Sequence, residues 1–249
     1  MAFFEVQCTS ESLGKQVRVN VVIPGDRRGN AGDLPVIWLL HGLSDDESMW
    51  ARKTSVERYA EGHKFAVVMP NGDRSWYLNQ PSGRYEDYIG EELPALIRGY
   101  FPYLSQKREN NMIAGLSMGG FGALHTALKR PDRYGAVACF SGAFRIAAPE
   151  WTRLLTAEGV IPGDPTGTDA DVYDLAEKTR ERADKFPVYL SCGTEDAVLP
   201  FTVDMRDALT RAGYPVTCSE TPGNHAWVFW DREIKLAMDW WTDVRRAAK

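Results

Sequence analysis

The stretch IAGLSMGGFGALHTAL, which spans Ile113–Leu128, changes character at its centre. Its first residues are apolar and strand-like, whereas Met118–Lys129 has the period of an amphipathic helix that stops before Pro131. The joint is the pentapeptide GLSMG, a G-x-S-x-G pattern centred on Ser117. Small flanking residues allow a sharp strand-to-helix turn that holds the serine hydroxyl above the edge of a sheet. The stretch therefore predicts a nucleophile elbow with Ser117 as the nucleophile.

Eight apolar runs of strand length occur along the chain, and from the third onward most are continuous rather than alternating. Continuous apolar strands are typical of a parallel sheet that is buried on both faces. Helix-like segments separate the later runs, so the sequence predicts an α/β fold: a mostly parallel central sheet of about eight strands with helices on both faces and two leading antiparallel strands. The predicted strands are Phe3–Thr9, Gln16–Ile23, Val36–Leu40, Phe65–Met69, Asn111–Ala114, Ala136–Phe140, Val188–Ser191 and Val216–Glu220. The clearest helices are Glu86–Tyr100 with a bend at Pro94, Met118–Lys129, a helix from Pro200 to Gly213, and Ala226–Ala247.

The length of the chain is compatible with one domain over residues 1–249. Only one long stretch, Ala143–Phe186, lacks a clear pattern, and it separates the sixth and seventh strands. Long insertions of this kind often form lids or substrate-binding elements. We therefore expect a single domain with a lid or substrate-binding insert at about residues 143–186.

Composition narrows the class of protein. A net charge of −5 argues against a nucleic-acid partner. No apolar run approaches the roughly 20 residues that cross a membrane, and the N-terminus lacks the basic start and apolar centre of a signal peptide. The four cysteines have neither CxxC spacing nor histidines at metal-ligand spacing, which predicts reduced, buried thiols and no metal site. These features predict a cytoplasmic protein.

An elbow serine needs a base, and in this architecture the order along the chain is serine, acid, histidine. His41 and His63 precede Ser117, and His125 lies on the helix that follows it. His225 lies in the glycine-containing loop after the last strand and before the last helix, so it is the predicted base.

For the acid, the loop that ends the seventh strand offers Asp196, with Glu195 in reserve. Ser117, Asp196 and His225 would then each follow a different strand at its carboxyl end, the edge where open α/β sheets bind ligands.

Two backbone amides are the predicted oxyanion donors, because the intermediate of acyl transfer carries a negative oxygen. Met118 N–H follows the nucleophile at the helix start, and Leu43 N–H lies in the loop after the third strand, where Gly42 lets the backbone approach the site. Trp76 and Tyr77 follow the fourth strand at the same edge, and with Gly42 they are the predicted substrate-binding residues.

Several segments together resemble the putative-esterase family of α/β-hydrolases, which includes esterase D and the S-formylglutathione hydrolases. They are LLHGLSDDESMW (39–50), VVMPNGDRSWY (67–77), EELPALIRGYFP (91–102), RENNMIAGLSMGGFGAL (108–124), FSGA (140–143), CGTEDAVL (192–199) and GNHAWVFW (223–230). The resemblance covers most of the chain and is closest to the bacterial tributyrin esterases, which are small cytoplasmic enzymes. It implies Ser117 as nucleophile, Asp196 as acid, His225 as base, Leu43 and Met118 as oxyanion donors, and no cofactor.

The sequence thus predicts a serine carboxylesterase that hydrolyses short-chain acyl esters, and the family analogy indicates a homo-oligomer. The same triad would also serve an acetyl xylan or feruloyl-type carbohydrate esterase, an S-formylglutathione-type thioesterase or an acyltransferase. S-formylglutathione hydrolases usually carry a cysteine shortly after the position of Gly42, and this chain has LSDDESMW there.

Overall fold

The computed structural model describes residues 1–25 and 33–247. Its strands are the eight that the apolar runs predict, with ends that agree within two residues, and two very short additional ones. In chain order they are β1 (Ala2–Ser10), β2 (Lys15–Ile23), β3 (Val36–Leu40), β4 (Ala66–Pro70), β5 (Asn79–Gln80), β6 (Gly83–Arg84), β7 (Asn111–Leu116), β8 (Ala136–Phe140), β9 (Val188–Gly193) and β10 (Val216–Thr221).

Eight of these strands form one sheet in the order β1-β2-β4-β3-β7-β8-β9-β10, and β5 pairs with β6 as a separate hairpin. The pairings of β2 with β1 and with β4 are antiparallel, and all others in the large sheet are parallel. The predicted mostly parallel sheet with an antiparallel leading pair is therefore confirmed. Its five central parallel strands are buried along their whole length, as continuous apolar runs require.

Helices cover both faces of the sheet and bury two separate hydrophobic clusters. On one face α1, α2 and α9 pack against residues such as Ile37 and Met112. On the other face the remaining helices pack against residues such as Trp38 and Ile113. The helices are α1 (Met49–Lys53), α2 (Val56–His63), α3 (Tyr85–Asp87), α4 (Leu93–Tyr100), α5 (Met118–Lys129), α6 (Pro149–Ala157), α7 (Val172–Lys178), α8 (Leu199–Arg211) and α9 (Trp227–Ala247).

The predicted helix with a bend at Pro94 is present, and the irregularity lies just before the proline. A π-helical turn over Tyr88–Glu92 joins α3 to α4. Proline has no N–H and collides with the carbonyl four residues earlier in a regular helix, and a wider turn accommodates both constraints.

The stretch 143–186, which showed no clear pattern, contains α6 and α7. Its apolar side chains belong to the core on one face of the sheet, and Leu155, Val172 and Phe186 are fully buried. The side chain of His125 on α5 contacts this stretch through the carbonyl oxygen of Asp169. The insert is thus packed onto α5, the helix that directly follows Ser117.

No helix within the described ranges has the length and apolar character needed to cross a bilayer. All four cysteines are free; Cys8, Cys139 and Cys192 are buried and Cys218 is half-buried.

Candidate active site

Ser117 occupies the joint between β7 and α5 with a strained backbone. Its φ is 51° and its ψ is −115°, a backbone conformation that residues other than glycine rarely adopt. Its amide donates to the carbonyl of Phe140, and its own carbonyl accepts from the amides of Phe121 and Ala143. These bonds tie the serine to β8 and to the start of the insert, so the strained turn is held by the surrounding fold.

The two glycines of the pentapeptide are required by close backbone approach. A Cβ on Gly115 would lie 2.3 Å from the carbonyl oxygen of Gly119. A Cβ on Gly119 would lie 2.5 Å from the carbonyl oxygen of Leu40 and 2.6 Å from that of His41. The first turn of α5 is therefore packed directly against the backbone at the end of β3.

The structure brings Ser117, Asp196 and His225 together at the carboxyl ends of β7, β9 and β10. His225 Nε2 lies 3.1 Å from Ser117 Oγ, and His225 Nδ1 lies 2.9 Å from Asp196 Oδ2. The His225 side chain is 38% exposed, whereas that of Asp196 is completely buried. The carboxylate is thus shielded from water while the imidazole edge next to the serine is accessible.

Asp196 is stabilised as an anion by several donors. Burial opposes ionisation, but hydrogen bonds from His225, from the Val198 amide and from the Ser141 hydroxyl together lower the pKa of Asp196. Since a carboxylate only accepts, the neutral His225 ring presents Nδ1–H to Asp196 and the free lone pair of Nε2 to Ser117.

The reserve acid and the other histidines lie elsewhere. Glu195 is exposed and accepts a hydrogen bond from the amide of Gly223 at 2.5 Å. His63 bonds to Asp239 and His125 lies inside α5 under the insert. His41 is the first residue of the loop that follows β3, and its side chain is buried.

The amides of Leu43 and Met118 both lie next to the elbow. The point that a Cβ on Gly42 would occupy is 3.8 Å from Cβ of Ser117, so the loop carrying Leu43 borders the nucleophile. Neither amide donates to an acceptor within the described ranges. At the N-terminus of α5 the helix dipole adds positive potential.

Trp76 and Tyr77 are both buried and have left-handed backbones, with φ of 55° and 59°. The Tyr77 hydroxyl donates to the carbonyl oxygen of His41 at 2.9 Å, so this side chain supports the loop after β3. Trp76 packs edge-on against Phe121 of α5 and Trp151 of α6.

Two supporting residues escape the sequence patterns. Ser141 directly follows β8 and has a φ of 49°. Its hydroxyl accepts a hydrogen bond from the indole N–H of Trp230 at 3.1 Å and also bonds Asp196. Trp50 donates its indole N–H to the carbonyl of Leu40 at 3.0 Å. The only sequence signals for them are a serine at a strand end and a tryptophan near the loop. Trp230 itself packs edge-to-face on His225 with ring centroids 4.9 Å apart, so it supports the imidazole ring.

Within the described ranges, no group of three or more His, Cys, Asp or Glu side chains is arranged to hold a metal ion.

Comparisons with known proteins identify the family of this chain. The family model for the putative esterase family matches residues 10–239. An acetyl esterase of Caldicellulosiruptor saccharolyticus is 26% identical over 266 residues, covering 98% of this chain and 99% of that protein.

Two solved structures from Staphylococcus aureus are similar over nearly the whole chain. Fluorophosphonate-binding serine hydrolase F (FphF), substrate bound, superposes with a TM-score of 0.87 at 34% identity, covering 96% of this chain and 98% of that one. The S-formylglutathione hydrolase FrmB, as apoenzyme, gives 0.86 at 34% identity with the same coverage. This chain therefore belongs to the putative esterase family, and it is an ester hydrolase with the α/β-hydrolase fold.

Proposed function

We propose that this chain is a serine carboxylesterase that hydrolyses short-chain acyl esters, of acetyl or butyryl type, through an acyl-enzyme. One observation carries the proposal: an unbroken hydrogen-bonded row from the buried Asp196 carboxylate through His225 to the Ser117 hydroxyl. Nucleophile, base and orienting acid in this arrangement activate a serine for attack on a carbonyl.

In the first half of the reaction, Ser117 Oγ attacks the ester carbonyl carbon while His225 Nε2 accepts the hydroxyl proton. Asp196 stabilises the resulting imidazolium through its bond to Nδ1. The tetrahedral intermediate collapses by breaking the bond to the alkoxy oxygen, which takes the proton from His225 and leaves as the alcohol. The acyl group stays on Ser117.

In the second half, water replaces the alcohol. His225 removes a proton from the water as its oxygen attacks the acyl carbon, and the bond to Ser117 Oγ then breaks. The proton returns from His225 to the serine, and the carboxylic acid is released.

The negative oxygen of both intermediates would be held by the amides of Leu43 and Met118, which donate to no other acceptor within the described ranges. A donor aimed at this oxygen contributes about 3–4 kcal/mol to transition-state stabilisation. We assign these two amides as the oxyanion hole.

The short acyl preference rests on the similarity to an acetyl esterase and on the wall near the nucleophile. Phe121 follows Ser117 by about one helical turn and contacts Trp76, which in turn contacts Trp151. We propose that these packed rings back the acyl pocket and limit its depth, with Gly42 leaving space for the carbonyl group. In this proposal Trp76 and Tyr77 are buried residues that support the wall of the pocket.

A second candidate is a thioesterase acting on S-formylglutathione. The similarity to FrmB, at 34% identity over nearly all of both chains, favours it. The formyl group is the smallest acyl group, and the same triad cleaves thioesters.

Initial rates on p-nitrophenyl acetate, butyrate and octanoate, methyl ferulate and S-formylglutathione test the proposal, with Ser117→Ala as the control. We expect acetate or butyrate to give the highest kcat/KM, and Ser117→Ala to lose several orders of magnitude in kcat. Preference for S-formylglutathione would favour the second candidate, and preference for ferulate would favour a carbohydrate esterase. Retained activity in Ser117→Ala would contradict the assignment of Ser117 as the nucleophile.

The cytoplasmic location and the homo-oligomer stay predictions from the sequence.

A further inference from the structure

Three consecutive carbonyl groups, beginning with the last residue of β3, each accept a hydrogen bond from a buried side chain. The donors are Trp50 Nε1 to Leu40 at 3.0 Å, Tyr77 Oη to His41 at 2.9 Å, and His41 Nδ1 to Gly42 at 2.7 Å. The last is the shortest, and it acts on the peptide group that also contains the Leu43 amide.

The proton on His41 is assigned by its two partners. Gly72 N–H donates to Nε2 at 2.8 Å, so Nε2 must present a lone pair. The Gly42 carbonyl can only accept, so Nδ1 must carry the proton. The ring is 1% exposed, and burial lowers the pKa of His41, which keeps it in this neutral form.

The direction of the Gly42 carbonyl determines the direction of the Leu43 amide. Both belong to one planar peptide group, which is trans, so C=O and N–H point in opposite directions. Rotating this plane would turn the Leu43 N–H away from the nucleophile.

Among the described residues, one other donor acts on the Gly42 carbonyl: the Asp45 amide, at 3.2 Å. Asp45 also accepts from the Gly42 amide at 3.2 Å, which closes a local turn. Both contacts are longer than the one from His41 and come from the loop itself. The His41 ring also accepts from the Gly72 amide at Nε2, so it ties the loop to a residue that lies 31 positions further along and follows β4.

We propose that His41 is a positioning residue for ester hydrolysis: its Nδ1–H holds the Gly42–Leu43 peptide in the orientation that aims Leu43 N–H at the oxyanion. This inference rests on the proposed function. His41 does not touch the substrate; it acts through the peptide. Its effect is on transition-state stabilisation, because the oxyanion forms only after attack, so kcat should respond and KM should change little.

Two substitutions separate the two hydrogen bonds of the ring. In His41→Asn the side-chain amide nitrogen falls near the position of Nδ1 and can still donate to the Gly42 carbonyl. In His41→Gln the amide reaches the position of Nε2, where it can satisfy Gly72 but not Gly42. We expect His41→Gln to lose about 10²-fold in kcat, and His41→Asn to lose about tenfold or less. KM should stay within about threefold in both.

Affinity for butylboronic acid provides a second readout, since its adduct with Ser117 places an oxygen in the oxyanion hole. We expect its Kd to rise in His41→Gln in parallel with the loss of kcat, and to rise less in His41→Asn. Thermal unfolding of both variants shows whether the order of the kcat losses reflects a loss of stability rather than a loss of the hydrogen bond to Gly42. Equal kcat losses, a greater loss in His41→Asn, or a ranking that follows Tm would overturn the proposal.

Should neither variant fold, histidine-selective 15N NMR of the wild-type protein tests the same assignment. We expect the Nδ1–H tautomer of His41 at pH 7.5, and an Nε2–H tautomer or a charged ring would overturn it. Activity measurements on the wild type and on Ser117→Ala distinguish a failure of the proposed function from a failure of the positioning role of His41. An inactive wild type, or an active Ser117→Ala, contradicts the proposed function, whereas an active wild type with Asn and Gln variants alike contradicts only the positioning role.

Discussion

The indole N–H of Trp230 donates to the hydroxyl of Ser141 at 3.1 Å and so joins the last helix to the end of β8. A hydroxyl has a single proton, and with Trp230 as donor to Ser141 that proton is available for the Asp196 carboxylate, which Ser141 also bonds. The Ser141 backbone is fixed as well, because its amide donates to the carbonyl of Ser191 at 2.7 Å. Ser141 therefore connects Trp230 of α9 to the buried Asp196 carboxylate.

We expect Ser141→Ala to lower kcat by about 10- to 100-fold with little change in KM, because a hydrogen bond to a charged group contributes about 1.5–3 kcal/mol. The substitution also leaves the Trp230 indole without its acceptor. Steady-state kinetics on p-nitrophenyl butyrate measure the effect.

Ser191→Ala is the matched control for this prediction. Ser191 is equally buried, and its hydroxyl has no hydrogen-bond partner among the described residues. We expect its kcat to equal that of the wild type. A comparable loss in both variants would show that Ser141 matters only for packing.

The choice of acid leads to a separate prediction. Asp196→Asn should lower kcat by about 10³–10⁴-fold, because an amide neither stabilises the imidazolium nor holds the correct tautomer of His225. Glu195→Gln should stay within about threefold of the wild type, since Glu195 is exposed and bonds Gly223 rather than His225. Rates on one p-nitrophenyl ester compare the two variants, and similar losses would contradict the assignment of Asp196.

The sheet and the three predicted triad residues could be read from local sequence patterns. Continuous apolar runs predict buried parallel strands, and the residues after β7, β9 and β10 necessarily meet at one edge. The exact ends of β3 and β8 were predicted because polar, glycine or proline residues follow them directly or nearly so. In these elements local propensity and the global fold agree.

The supporting contacts could not be predicted, because they depend on pairs that are distant in sequence. The bond from Trp230 to Ser141 spans 89 residues, and that from Gly72 to His41 spans 31. Aromatic residues in a loop indicate exposed pocket walls as readily as buried supports, and the sequence offered no signal for the left-handed backbone of Trp76 and Tyr77. α6 and α7 were missed because the polar and glycine-rich segment between them obscures the helical period.

The close packing of α5 on the end of β3 predicts that a side chain at Gly119 destabilises the protein. In Gly119→Ala the new Cβ would lie 2.5 and 2.6 Å from the carbonyl oxygens of Leu40 and His41. These are backbone atoms, so we expect a loss of about 1–3 kcal/mol in the free energy of unfolding. Activity should fall as well, because both carbonyls belong to the backbone that leads into the oxyanion loop.

Gly62→Ala serves as the control, since Gly62 is an exposed helical residue and an added Cβ there would meet no described atom within 4 Å. We expect it to raise the free energy of unfolding by about 0.5–1 kcal/mol. Urea unfolding monitored by tryptophan fluorescence measures both variants. A Gly119→Ala protein with wild-type stability and activity would show that the loop after β3 can shift without consequence.

His125 makes the stability of the fold sensitive to acid. It is fully buried, its Nε2 lies 2.8 Å from the carbonyl oxygen of Asp169, and its Nδ1 has no partner among the described residues. Burial lowers the pKa of His125, so the folded protein keeps the ring neutral where the unfolded chain, which titrates near pH ~6.5, accepts a proton. The free energy of unfolding should therefore be highest above about pH 6.5. It should decline from there toward the lower folded-state pKa, by up to about 1.4 kcal/mol per pH unit for this one group.

Substitution by glutamine isolates this contribution, because the side-chain amide of His125→Gln can still donate to Asp169 but does not titrate. We expect the variant to lose less stability than the wild type between pH 6.5 and 5.5, while the two run parallel between pH 7.5 and 8.5. His41 and His63, whose pKa values burial also lowers, should leave the variant with a residual dependence. Urea unfolding at a series of pH values gives both slopes. Identical slopes below pH 6.5 would mean that the His125 ring takes up a proton in the folded protein as readily as in the unfolded chain, and the burial argument would then be wrong.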